Sequence, residues 1–219
     1  MIPSTKSPEV YIAQACEQDL FVHGDNHRGA GYTRTPEEAR AQYALMLEVV
    51  RERDELVHIL DFGCGLAHLL DYIISQPQLA FIRYTGLDLS QKYLAAARQR
   101  HPGADLAYMN ILEDDTALPD FDYVILNGVF NYRGAIPRDE MLRYWQRIIT
   151  LAFAHSRRGI AFNVMSKLVD WERDDLFHLP FDEMAQFVSA NLSRHFIIRH
   201  DYPAYEYATF VYRKPKVQL

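Results

Sequence analysis

The chain has 219 residues, 49% hydrophobic and 24% charged, and 23 Lys/Arg against 29 Asp/Glu leave a formal charge of −6. A chain this long buries roughly 70% of its unfolded surface and needs no cross-links, and the composition is globular rather than disordered. No run of consecutive basic residues is longer than two, as at Arg157-Arg158, which argues against a nucleic-acid partner, since phosphate backbones demand grouped Lys and Arg. No apolar run approaches the ~20 residues that span a bilayer. Glu9, Glu17 and Asp19 break up any leader-like start, and Cys16 and Cys64 cannot build a disulfide framework. No membrane is expected, and the expected compartment is the cytoplasm.

In chain order, residues 1–35 read as irregular, with a weak helix over 9–20 and a Gly-rich run from His23 to Gly31. Thr35 as N-cap, Pro36 in the first helical position and Glu38 closing a capping box predict a helix. Tyr43, Met46, Leu47 and Val50 give it one buried face. After Asp54 short apolar runs alternate with amphipathic segments. Strands are expected over 57–60, 81–87, 106–111, 123–126 and 160–164. Helices are expected around Leu66, Leu69, Leu70 and Ile73, from Ser90 to the Pro102-Gly103 break, from Pro137 through Met141, Trp145 and Ile149, and over 181–192. Two last β-runs, 195–199 and 205–212, are joined through Tyr202-Pro203-Ala204, a gap that permits only antiparallel pairing.

Five βα units before a hairpin imply an α/β fold, a seven-stranded and mostly parallel sheet with helices on both faces and an antiparallel last strand. Residues 1–54 read as a helical N-terminal cap and 55–219 as the ligand-binding domain, the two forming one structural unit. Ligands of such sheets lie outside the carboxyl ends of the strands.

Strand one runs into Asp61-Phe62-Gly63-Cys64-Gly65-Leu66-Ala67. Gly63 and Gly65 permit a sharp turn and close approach of a ligand, and Asp88, at the end of strand two, stands where a carboxylate would hold ribose hydroxyls. Taken alone, the two glycines need be no more than a tight turn. His68 breaks the dinucleotide pattern G-x-G-x-x-G, and Asp61 would repel a pyrophosphate while attracting a cationic ligand.

The runs His58-Ile59-Leu60-Asp61-Phe62-Gly63-Cys64-Gly65-Leu66-Ala67 and Tyr84-Thr85-Gly86-Leu87-Asp88-Leu89-Ser90 resemble those of class I S-adenosylmethionine-dependent methyltransferases. The resemblance covers residues 55 to 213 and implies a Rossmann-like fold. It implies a first loop, with Asp61, Gly63 and Gly65, that holds the amino-acid end of S-adenosylmethionine. Asp88 and Leu89 would then serve the ribose, Asn110-Ile111 the adenine, and Asn127-Gly128 the methionine portion, with Tyr32 of the cap also on the cofactor. Asp is commoner than Asn at position 110, and Ala67 replaces the usual third glycine. Gly31-Tyr32, Asn127-Gly128-Val129-Phe130-Asn131, Arg173-Asp174-Asp175-Leu176 and His200-Asp201-Tyr202 with Tyr205-Glu206 look like a bacterial subgroup, some of whose members accompany sugar or capsule biosynthesis.

The reaction so implied moves a methyl group to a small polar acceptor, with oxygen favoured as the methylated atom and S-adenosylhomocysteine as product. Such an acceptor needs a base. Candidates on the cofactor side are His27, Tyr32, Asn131, His178, His200 and Tyr205, with His178, His200 and Tyr205 carried forward as catalytic. Each has an ordinary alternative as a surface or sheet residue. Asp174-Asp175 reads as a charge pair at a helix N-terminus, and Tyr202, Tyr205, Tyr207 and Tyr212 read as strand residues. No metal is expected at His23-x-Asp25-x-His27, whose Gly-rich setting lacks the helix that such spacing relies on. An NAD(P)-dependent oxidoreductase and a non-catalytic cofactor-binding module are the competing readings.

Overall fold

The structure, a computed structural model, describes residues 7–26, 28–29 and 35–216. In chain order its elements are α1 (Pro8–His23), α2 (Pro36–Met46) running into a 3-10 turn at Leu47–Val49, β1 (Val57–Phe62), α3 (His68–Ile74), β2 (Ile82–Asp88), α4 (Gln91–Arg100) and β3 (Leu106–Tyr108). They continue with β4 (Phe121–Leu126), α5 (Arg138–Ala154), β5 (Ser156–Met165), α6 (Phe181–Asn191), β6 (His195–Arg199) and β7 (Glu206–Tyr212). The seven strands are ordered β3-β2-β1-β4-β5-β7-β6. Neighbours from β3 to β5 pair in parallel, and β7 runs antiparallel to both β5 and β6. β6 therefore points the same way as β5, and its carboxyl end lies on the same edge as those of β1 to β5.

Strand alternation sends side chains to two apolar layers. Leu60, Val124, Leu126, Phe162 and Val211 meet α5 and α6 on one face. Ile59, Tyr123, Ile125 and Phe210 meet α2, α3 and α4 on the other. Trp145 of α5 is fully buried, with its ring 5.8 Å from Phe162 and 5.3 Å from Phe187. The capping box at Thr35 is present, with the Thr35 hydroxyl accepting from the Glu38 N–H and Glu38 accepting from the Thr35 N–H at 2.8 Å. Residues 39–50, assigned to the cap on sequence, pack into the second layer through Tyr43, Met46 and Val49. No helix among the described residues is long and apolar enough to cross a membrane.

Several local expectations give way. The helix expected over 9–20 is present and longer, as α1 (Pro8–His23), laid across the carboxyl edge of the sheet. At one end the Tyr11 hydroxyl accepts from the Ala135 N–H at 3.3 Å; at the other, Glu17 holds Ser90 and Lys92 at 2.8 and 2.7 Å. β3 stops at Tyr108 and no helix follows it; 109–120 turns instead, because Asn110 and Asp114 cap the Leu112 and Thr116 N–H groups. The third βα unit is therefore a strand and a loop. Pro137 precedes α5 rather than opening it. Asp174-Asp175 starts no helix: the Arg173 guanidinium grips Asp175 with two bonds, 3.0 and 2.6 Å. Tyr202 and Tyr205 lie in the turn before β7 rather than within it.

Candidate active site

A cavity of about 840 Å³ opens at the carboxyl ends of β1 to β5 and is roofed by α1. Its size is at the upper end for small-molecule sites, typically ~300–1,000 Å³. The floor is the loop after β1. Gly63 and Gly65 take φ of +72° and +53°, and a Cβ on Gly63 would stand 2.9 Å from Val129 Cγ2. Ala67 follows with φ +57°, a left-handed conformation that costs an L-residue roughly 1–2 kcal/mol. The loop is fastened to β2: the Gly63 and Cys64 N–H groups both donate to the Leu87 carbonyl, at 2.7 and 3.0 Å.

Asp88 is the centre of this fastening. One carboxylate oxygen accepts the Gly65 N–H at 2.8 Å and the other the Ser90 N–H at 2.7 Å, while the side chain borders the cavity and is only 8% exposed. Burial raises its pKa, and backbone hydrogen bonds from Ser90, Gly65 and Leu89 oppose that rise. The carboxylate keeps acceptor capacity beyond these N–H bonds for a hydroxyl donor. Leu89, Asn110, Ile111, Asn127 and Gly128 border the same cavity.

Asp61 sits elsewhere. It is 3% exposed, accepts the Tyr84 hydroxyl at 2.8 Å, and borders a small side pocket of about 50 Å³ that shares Gly63, Gly65 and Asn127 with the main cavity. Burial pushes its carboxyl up to about 7. Burial also lifts the Cys64 thiol well above its ordinary value, as it does Cys16, to about 12; neither is a thiolate nucleophile.

The far half of the cavity is bounded by the loop after β4, the 166–178 loop and the start of β7. Glu206, 3% exposed, accepts Asn131 Nδ2 at 2.6 Å and Asn163 Nδ2 at 2.9 Å on one oxygen, and Asn163 Oδ1 accepts the Gly128 N–H at 2.7 Å. Because Glu206 fixes the Asn131 amide with its NH₂ inward, the Asn131 Oδ1 is left buried with no partner among the described residues. Sequence reading passed over Asn163 and gave Glu206 no role. The available signal was a polar side chain at the carboxyl end of an otherwise apolar strand.

Of the expected catalytic residues, His178 and Tyr205 border this half and His200 does not. His178 is 6% exposed; its Nδ1–H donates to the Ser166 carbonyl at 2.6 Å, leaving Nε2 to accept the Arg173 N–H at a long 3.3 Å. Tyr205 is 61% exposed at the mouth. His200 packs edge-on against Phe181 and Tyr207, 5.2 and 6.4 Å between ring centres. Tyr32, His27 and Gly31 lie outside the described residues. Asp25 of the His23-x-Asp25-x-His27 run pairs with Arg100 and with His68.

A family model described as a methyltransferase domain matches residues 60–151. A candidate methyltransferase of Mycobacterium tuberculosis is 30% identical over 156 residues, covering 70% of this chain and 91% of that protein. Among solved structures, magnesium protoporphyrin IX methyltransferase from Synechocystis PCC 6803, crystallised with S-adenosylmethionine, superposes with a TM-score of 0.64 at 14% identity over 96% of this chain and 99% of that one. An amino pentose methyltransferase from Micromonospora echinaspora, also holding S-adenosylmethionine, gives 0.55 at 16% identity over 92% and 96%.

Proposed function

Since the chain belongs to the class I S-adenosylmethionine-dependent methyltransferases, we propose that it methylates a hydroxyl oxygen of a small, uncharged, sugar-type acceptor. The observation that carries this is the far wall of the cavity, where the uncharged amide of Asn131, held by the buried Glu206 carboxylate at 2.6 Å, stands on the same wall as the His178 imidazole. Charge supports it. Among the described residues, Glu9, Asp19, Asp88, Asp170, Asp175 and Glu206 border the cavity against the single Lys or Arg there, Arg173, itself held by Asp175. An anionic acceptor would meet like charge.

The residues present suit the methyl donor: a glycine loop that a Cβ would fill, and a carboxylate with lone pairs turned to the cavity. When bound there, S-adenosylmethionine supplies an electrophilic methyl on a cationic sulfur. Gly63 and Gly65 would lie against its amino-acid end and Asp88 would accept its ribose hydroxyls, with Leu89, Asn110, Ile111, Asn127 and Gly128 closing around it. Asp61 would act from behind the loop, as a carboxyl facing the cationic end. Asn131 then orients the acceptor hydroxyl. His178 accepts its proton at Nε2 in place of the long bond from Arg173, the Ser166 carbonyl holding the ring in the needed tautomer. Tyr205 covers the mouth, and His200 supports that wall through Phe181. Orientation of this sort can supply roughly 7–11 kcal/mol of the barrier.

The test is an acceptor screen with methyl-labelled S-adenosylmethionine. Neutral sugars and polyols should be labelled on oxygen, and phosphorylated counterparts should not. His178→Gln should cut turnover by about 10²-fold or more with cofactor affinity kept. Label appearing on phosphorylated sugars or on nucleic acid, or full turnover in His178→Gln, would overturn the reading.

A further inference from the structure

Glu9, in the first turn of α1, is 8% exposed and borders the cavity, and it forms no hydrogen bond or ion pair among the described residues. Its carboxylate borders the cavity with its acceptor oxygens unclaimed by the described residues, so a donor on a bound ligand can take the place of water there. Its surroundings say which kind. Ile12 and Met109 pack against the cluster that holds Ile111, Tyr144 and Ile148, and all five border the same cavity. Glu9 is close enough to act electrostatically on the Tyr144 hydroxyl. An apolar slot with one acceptor group suits a flat heterocycle bearing an amine.

The spacing along α1 ties this slot to the cofactor. Cys16 lies beside Asp88, and its carbonyl accepts the Tyr93 hydroxyl at 2.8 Å. Glu9 stands seven residues earlier on the same helix, roughly 10 Å away at 1.5 Å per residue. A nucleoside whose sugar hydroxyls rest on Asp88 would reach along α1 with its base toward Glu9. Asn110, the residue expected at the base, spends its side chain on its own turn: Oδ1 accepts the Leu112 N–H at 3.1 Å, and Nδ2 donates to Glu113 at 3.0 Å. The exocyclic amine therefore needs another acceptor.

We propose that Glu9 accepts a hydrogen bond from the 6-amino group of the cofactor's adenine, so that the roofing helix α1 selects the base. This rests on the cavity being the S-adenosylmethionine site, and the experiment separates the two. The ligands are S-adenosylhomocysteine and S-inosylhomocysteine, in which oxygen replaces the 6-amino group, titrated calorimetrically into the wild-type chain, Glu9→Ala and Glu9→Gln. Thermal melting checks that both variants fold.

Glu9→Ala should weaken S-adenosylhomocysteine by about 10- to 100-fold, the loss of a hydrogen bond to a charged group, and should bind S-inosylhomocysteine no worse than wild type. Glu9→Gln, whose amide can donate to the inosine oxygen, should narrow the preference while staying folded. An unchanged ratio of the two affinities in both variants overturns the role of Glu9 and leaves the cofactor site standing. Wild type that binds neither ligand sinks the site and this inference together.

Discussion

Asp61→Asn should remove a fall in stability that the unliganded protein otherwise suffers as pH rises from about 4 to 7. Asp61 is 3% exposed, with one hydrogen bond from Tyr84 and the charge of Asp88 nearby, and burial lifts its carboxyl to about 7 from an ordinary 3.8. The native state therefore keeps a proton that the unfolded chain gives up. That stabilisation is complete below the unfolded value, declines above it, and is gone once pH passes the folded value. A rise of about three units corresponds to about 4 kcal/mol at ~1.4 kcal/mol per unit. At roughly 2–4 °C per kcal/mol for a chain of this size, it equals about 8–16 °C in Tm. Asn keeps an oxygen for the Tyr84 hydroxyl and cannot ionise. Melting curves of both proteins without ligand at pH 4.5, 6 and 7.5 should converge at the lowest pH and separate with the variant higher at pH 7.5. Parallel curves would refute the buried, protonated Asp61.

Gly63→Ala places a Cβ 2.9 Å from Val129 Cγ2 at φ +72°. It should lower stability by at least about 1–2 kcal/mol and abolish S-adenosylhomocysteine binding in titration, because the loop must shift to accept it. Asn163→Ala leaves the Gly128 N–H without its acceptor and removes one of the two amide bonds to Glu206 Oε2. Denaturant melts should show a loss of about 1–3 kcal/mol for the N–H so stranded, and turnover should fall through a raised acceptor KM, since Asn131 shares the same carboxylate.

The sheet was legible because each strand from β1 to β5 is an apolar run with turn residues at its ends, and the loop after β1 because two glycines and a distant Asp88 mark it in the chain itself. The helix α1 was hard to read for a physical reason. Its inner face carries Glu9, Ala13, Cys16 and Asp19, which look onto a ligand cavity rather than a packed core, so no apolar stripe announces it. The Asn131–Glu206–Asn163 network joins residues far apart in the sequence, and only the fold unites them. His178 and His200 read alike as histidines in loops. Burial and the Ser166 carbonyl separate one from the other, and neither is written in local sequence.

The most direct measurement is calorimetric titration of S-adenosylhomocysteine into the wild-type chain and Asp88→Ala, with melting curves to show that the variant folds. Wild type should bind saturably and the variant should lose about 100-fold or more in affinity, as hydroxyl hydrogen bonds to a carboxylate disappear. No binding by wild type, or equal affinity in a folded Asp88→Ala, would contradict it.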